Sequence, residues 1–295
     1  MIKIGQSTHA WWLNGDLKRL DEELQEIQMA GADSCELILH GLDVVIGGRI
    51  IHSRLEAALK ILRKYKLEYT LHLPYDLNLL DTDMLEQYVR VFQAGIAFAQ
   101  AAGIGVIVYH PGKMRFLGPA ALQREAEQIR RLVKTAPDIL FCMENAPLFN
   151  REESSAAKNA EAMIAFCEMV DLPNFGLTFD VGHCFLAHQG NKHALLRDLE
   201  RLLPFIGHIH LHDNCGVNLE MSAYDYNHRI ACGAADLHLP LGWGRIPIED
   251  VLNRLGSYQG IVNLEIEHRF RSQYSACISF VREYLAKHVQ PSSAA

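Results

Sequence analysis

Short apolar runs alternate with longer stretches of helical period from one end of the chain to the other, the pattern of repeated βα units. Eight runs read as buried strands, over residues 2–4, 34–39, 69–73, 106–110, 139–143, 176–179, 206–211 and 261–266. Amphipathic segments lie between them at 17–30, 54–65, 84–101, 120–135, 154–170, 193–203 and 248–255, and 272–288 closes the series. Strand starts recur about every 35 residues, except that a Gly-, Asn- and His-rich stretch over 214–245 separates the last two.

Eight βα units predict an α/β protein of the (β/α)8 TIM-barrel class, one domain over 1–290 with a flexible tail at 291–295. A doubly wound open sheet is the rival. It usually carries a glycine-rich phosphate turn after its first strand, whereas Gly5-Gln6-Ser7-Thr8-His9 stands there, and Gly103-x-Gly105 precedes a strand instead of following one.

A length of 295 residues with 49% hydrophobic side chains can bury a core without disulfide or structural metal. The formal net charge of −7 excludes a protein that grips nucleic acid through its overall charge, though not through a local patch. Seven cysteines, odd in number and without a C-x-x-C pair, read as reduced thiols and predict a cytoplasmic location. The N-terminus carries no targeting pattern. The longest apolar run, 96–109, is broken by Gln100 and two glycines, so no membrane segment is expected.

Barrel chemistry sits at the C-terminal ends of strands. Strands three to eight end in His72-Leu73-Pro74-Tyr75, His110-Pro111-Gly112, Glu144-Asn145-Ala146, Asp180-Val181-Gly182-His183, His210-Leu211-His212-Asp213 and Glu265-Ile266-Glu267. One such residue is an ordinary polar cap. Six consecutive ends form a ring of imidazoles and carboxylates that is costly to desolvate unless a divalent cation supplies the partner. Mixed His and carboxylate donors suit zinc, manganese or iron better than calcium or magnesium.

These motifs, with Asp236-Leu237-His238 and Leu241-Gly242-Trp243-Gly244 following in order, resemble the xylose isomerase-like TIM barrels, and within them the endonuclease IV (AP endonuclease family 2) branch. The resemblance runs through nearly the whole chain. It implies a one-metal set at Glu144, Asp180, His210 and Glu265, the arrangement of the sugar isomerases and epimerases. It also implies the five further ligands His72, His110, His183, Asp236 and His238 that complete a three-zinc cluster. With all nine present, the expectation is a metal-dependent hydrolase that cleaves a phosphate ester, a phosphodiester in particular, through a di- or trinuclear site holding up to three zinc ions, with manganese or iron as substitutes. The alternative is a one-metal sugar or sugar-phosphate isomerase or epimerase in which Glu144 and Glu265 serve as acid and base. A metal-binding barrel without catalysis is a third reading, disfavoured because no member of the ring is replaced.

For the hydrolase, Tyr75, Lys113 and Arg245 are candidate substrate contacts, the two cations on phosphate oxygens. The loop over 40–49 is apolar and nearly uncharged. It suits a pocket wall or lid better than a wedge for kinking a duplex. A small phosphorylated or sugar-like molecule, such as a cobamide or nucleotide-like compound, is therefore favoured over abasic DNA as the partner. Oligomeric state is not legible.

Overall fold

The computed structural model describes residues 2–145, 154–219 and 225–288; the predicted tail and Ala146 lie outside them. Eight parallel strands close into a barrel in chain order: β1 (Lys3–Ser7), β2 (Ser34–Ile38), β3 (Glu68–His72), β4 (Val106–Tyr109), β5 (Leu140–Glu144), β6 (Phe175–Asp180), β7 (Ile206–Leu211) and β8 (Ile261–Leu264). β1 shuts the ring between β8 and β2, with Gly5 level with Asn263 on one side and Ser34 on the other. A Cβ at Gly5 would stand 2.6 Å from Ser34 Oγ and 2.7 Å from Asn263 Oδ1, so glycine is what lets these strands meet there.

The outer ring consists of α1 (Leu17–Met29), α2 (His52–Leu62), α3 (Leu85–Ala102), α4 (Pro119–Val133), α5 (Ala160–Val170), α6 (Lys192–Leu202), α7 (Ile248–Asn253) and α8 (Tyr274–His288). Their starts follow local capping chemistry. Asp16, Asn159 and Asn191 each accept a hydrogen bond from a first-turn N–H of α1, α5 and α6, respectively, and Pro119 stands at the first position of α4. Leu20, Leu24 and Ile27 of α1 and Leu195, Leu199 and Leu202 of α6 are buried at the spacing of one helical face.

The predicted helix over 154–170 is too long. Ser154–Ser155 instead pairs antiparallel with Lys113–Met114, and the helix starts only after Asn159 supplies a cap. Three helices were not anticipated: Ala10–Leu13 after β1, Val181–Ala187, which leaves β6 directly, and Tyr226–Cys232 inside the long 214–245 connection. The 40–49 loop folds into a turn (Leu39–Gly41) and a hairpin of Val45–Ile46 with Arg49–Ile50. Leu42 and Val44 are fully buried beneath it, and at Gly48 a Cβ would meet Arg90 of α3 at 2.7 Å. The hairpin thus packs down on α3 rather than projecting.

All seven cysteines are free. Among the described residues no helix is long and apolar enough to cross a membrane. The barrel interior is unusually polar: Ser7, Glu36, Thr70, Thr178, His208 and Asn263 are buried inside it, each from a different strand. Such groups must pair with one another, and they form the floor on which the site is built.

Candidate metal centre and active site

β5, β6 and β7 deliver Glu144, Asp180 and His210 to one point, and Glu265 joins them one residue past β8. His210 Nδ1 lies 3.5 Å from Glu144 Oε2, 3.8 Å from Asp180 Oδ2 and 3.4 Å from Glu265 Oε2. A second set shares that same Glu144 oxygen, because Oε2 is also 3.0 Å from His72 Nε2 and 3.3 Å from His110 Nε2. A third lies beyond His183: Asp236 Oδ2 is 3.1 Å from His183 Nε2 and 2.8 Å from His238 Nε2. All nine ligand candidates read from the sequence therefore converge. Glu144 joins the three sets, because its Oε1 is also 3.0 Å from His183 Nδ1.

Backbone carbonyls set the imidazole tautomers. His72 Nδ1 donates to the Leu73 carbonyl (2.6 Å), His110 Nδ1 to Tyr75 (3.1 Å) and His238 Nδ1 to Glu265 (2.8 Å). Each leaves Nε2 turned toward a carboxylate, the orientation a metal ligand requires. His238 pays for its position with a left-handed backbone at φ 46°.

The donor set fits a divalent ion of the zinc, manganese or iron type. Asp180 Oδ2, His210 Nδ1 and Asp236 Oδ1 are buried and lack hydrogen-bond partners, as expected of atoms whose partner is a cation. Burial opposes ionisation of Glu144, but the imidazoles of His110 and His210 outweigh it and hold the carboxyl well below its ordinary range. Burial likewise opposes a charge on His238, yet the Asp236 carboxylate pushes it up to about 10.

The sequence reading missed part of the floor. Glu36, in the middle of β2, places Oε1 3.0 Å from His210 Nε2 and Oε2 3.1 Å from His208 Nε2, and all three side chains are fully buried. His212 packs against Gly182, where any Cβ would come within 2.1 Å of the ring, and stacks on His238 at 4.0 Å between centroids. Asp213 gathers the downstream loop, accepting from the amides of Asn214, Gly242, Gly244 and Ile246. The available signal was the oddity of a lone carboxylate in a wholly buried strand, which needs a partner.

Above the floor opens a cavity of about 650 Å³. Seven of the nine ligand candidates line it, while Asp180 and His210 lie buried beneath. Tyr75 stands in its wall with its ring parallel to His110, and Lys113 reaches it from the Lys113–Met114 strand. Arg245 does not line it; that side chain is exposed, and its amide donates to the Asn214 carbonyl. His40 and Asp43 make the 40–49 loop part of the wall, and Trp11, Asp76 and Glu267 complete the mouth.

The family model for xylose isomerase-like TIM barrels matches residues 24–284, and the chain belongs to that family. An uncharacterized protein of Methanocaldococcus jannaschii, MJ1311, is 25% identical over 257 residues, covering 83% of this chain and 78% of the relative. Among solved structures, a D-tagatose 3-epimerase-like protein superposes with a TM-score of 0.74 at 22% identity, covering 98% of this chain and all of that one. The probable 3-DHS dehydratase AsbF of Bacillus anthracis superposes at 0.72 and 16% identity, covering 95% and 99%. At these identities the solved structures share the fold. One is named as an epimerase-like protein and the other as a dehydratase, and neither as a phosphodiesterase.

Proposed function

We propose that the protein is a metal-dependent isomerase or epimerase of a small, neutral polyhydroxy carbonyl compound. The observation that carries this reading is the meeting of the Glu144, Asp180 and Glu265 carboxylates within 3.4–3.8 Å of His210 Nδ1, with Glu144 and Glu265 lining the cavity. A divalent ion held by these four residues would supply Lewis-acid polarisation of a substrate carbonyl and the neighbouring hydroxyl. Either Glu144 or Glu265 then takes the proton from the carbon beside the carbonyl, and the other, or the same group after the substrate's hydrogen-bonding shifts, returns it. Asp180 and His210 hold the geometry from below.

Charge at the mouth supports a neutral substrate. Asp43, Asp76 and Glu267, none of them in the ligand set, line the cavity with Lys113 as the one lysine or arginine among the described lining residues. A polyanion would meet repulsion there. Tyr75 and Trp11 offer aromatic faces against which a sugar ring can lie.

A second reading, phosphoester hydrolysis at a di- or trinuclear centre, is favoured by the His183, Asp236 and His238 set, which a one-metal isomerase does not use. The experiment that separates them is metal content measured beside proton exchange. One tightly held equivalent, with solvent deuterium entering a ketose and exchange lost in Glu144→Gln, supports isomerisation. Three equivalents with turnover of a chromogenic phosphodiester, both lowered in Asp236→Ala, overturn it in favour of hydrolysis.

A further inference from the structure

Behind the ligand ring lies a second cavity of about 240 Å³, lined by residues of α5, α6 and the Val181–Ala187 helix. Cys184, His188 and Asp198 face it together. Cys184 and His188 are four residues apart at the end of that helix and so share a face. Asp198 reaches them from α6, and His188 Nε2 sits 2.7 Å from Asp198 Oδ2. One ligand atom from each of the three residues lies within 4.8 Å of the other two. Cys184 and Asp198 are buried, and His188 is partly open to the cavity.

We infer that Cys184, His188 and Asp198 form a separate zinc-type site with a position left open toward this cavity. Thiolate, imidazole and carboxylate are together the borderline-soft donor set that selects zinc over calcium or magnesium. Three protein ligands beside an empty volume leave room for a water or a small ligand in the fourth position. The exposed Arg197 places its Nε 3.8 Å from Asp198 Oδ1, and Arg201 also feels that carboxylate, but at the surface such cations contribute little. His183 lines both cavities, so an ion here would stand directly behind a member of the main centre. The inference does not depend on which reaction that centre performs, because none of the nine main ligands carries sulfur.

That difference supplies the test. The full-length protein is stripped of metal and titrated with cobalt(II), and a near-ultraviolet thiolate-to-cobalt charge-transfer band is recorded. A saturable band that vanishes in Cys184→Ser, persists in Cys232→Ser and persists in Glu144→Gln is the expected result. In Asp198→Asn the cobalt affinity read from the band should fall roughly tenfold or more. Absence of the band in the wild-type protein, or its survival in Cys184→Ser, overturns the site. Should Cys184→Ser fail to fold by circular dichroism, His188→Gln carries the same decision: an unchanged band intensity and affinity in that variant refutes the proposal.

Discussion

Glu36→Gln is the most informative single change, because it keeps the shape of the side chain and removes only its charge. Its carboxylate lies 3.0 Å from His210 Nε2 and 3.1 Å from His208 Nε2, and it accepts from Thr70 Oγ1 at 3.2 Å and weakly from Asn263 Nδ2 at 3.5 Å. Burial alone would raise its pKa, yet His210 and His208 hold the carboxyl well below the ordinary range. At 3 Å and an effective dielectric constant of about 20, one such charge pair is worth roughly 5 kcal/mol before desolvation is subtracted. The Glu36 carboxylate faces His210 Nε2, which would leave Nδ1 free to hold a divalent ion. A carboxylate behind a ligand imidazole typically contributes about 10- to 100-fold to metal affinity. Competition against a chromophoric chelator at neutral pH should therefore show the metal affinity of Glu36→Gln reduced by about that factor, with the metal-free variant also less stable to urea. Wild-type affinity in a folded Glu36→Gln protein would refute the claim that this carboxylate orients His210.

Other consequences follow from the same geometry. Gly182→Ala drives a methyl into the His212 ring and should cost about 1–3 kcal/mol in denaturant unfolding while loosening the His238 side of the centre; unchanged stability would show that the ring can move away freely. Asp213→Ala leaves four backbone amides without their acceptor and should lower stability by about 3 kcal/mol or more, with the loop carrying Trp243 becoming protease-sensitive. In metal-free protein, His238 is raised, so its contribution to stability is complete below about pH 6.5 and is lost as pH rises to about 10. Urea unfolding of chelator-treated protein should show stability declining across that window, and His238→Gln should flatten the decline. Zinc affinity should instead rise with pH across the same window, since binding expels the His238 proton.

The barrel and its ligand ring were legible in the chain because both follow simple periodicities. Strand ends are marked by apolar runs meeting Pro, Gly or a charged residue, and β7 was read to the residue. Strand and helix limits elsewhere shifted by up to three residues, apart from the start of α5, where Asn159 caps the chain six residues later than the apolar pattern suggested. Glu36 escaped for a different reason. Its partners lie on another strand, so nothing nearby in sequence announces that Ser34-Cys35-Glu36-Leu37-Ile38 holds a carboxylate facing two imidazoles. Arg245 shows the converse: a cation just past a ligand motif is not thereby in the cavity, since Asn214 and Asp213 tie down the backbone around it while its side chain faces solvent.

The division between floor and mouth has a practical side. Glu36, Asp180, His208 and His210 belong both to the reaction site and to the packed interior, so altering them risks the fold. Trp11 and Tyr75 are 59% and 40% exposed at the cavity mouth, where substitutions are ordinarily near neutral for stability. Substrate preference is thus the adjustable layer of this molecule: a library confined to Trp11, Asp43 and Asp76 would explore new substrates without touching the ligand imidazoles, whereas Tyr75 packs on His72 and His110.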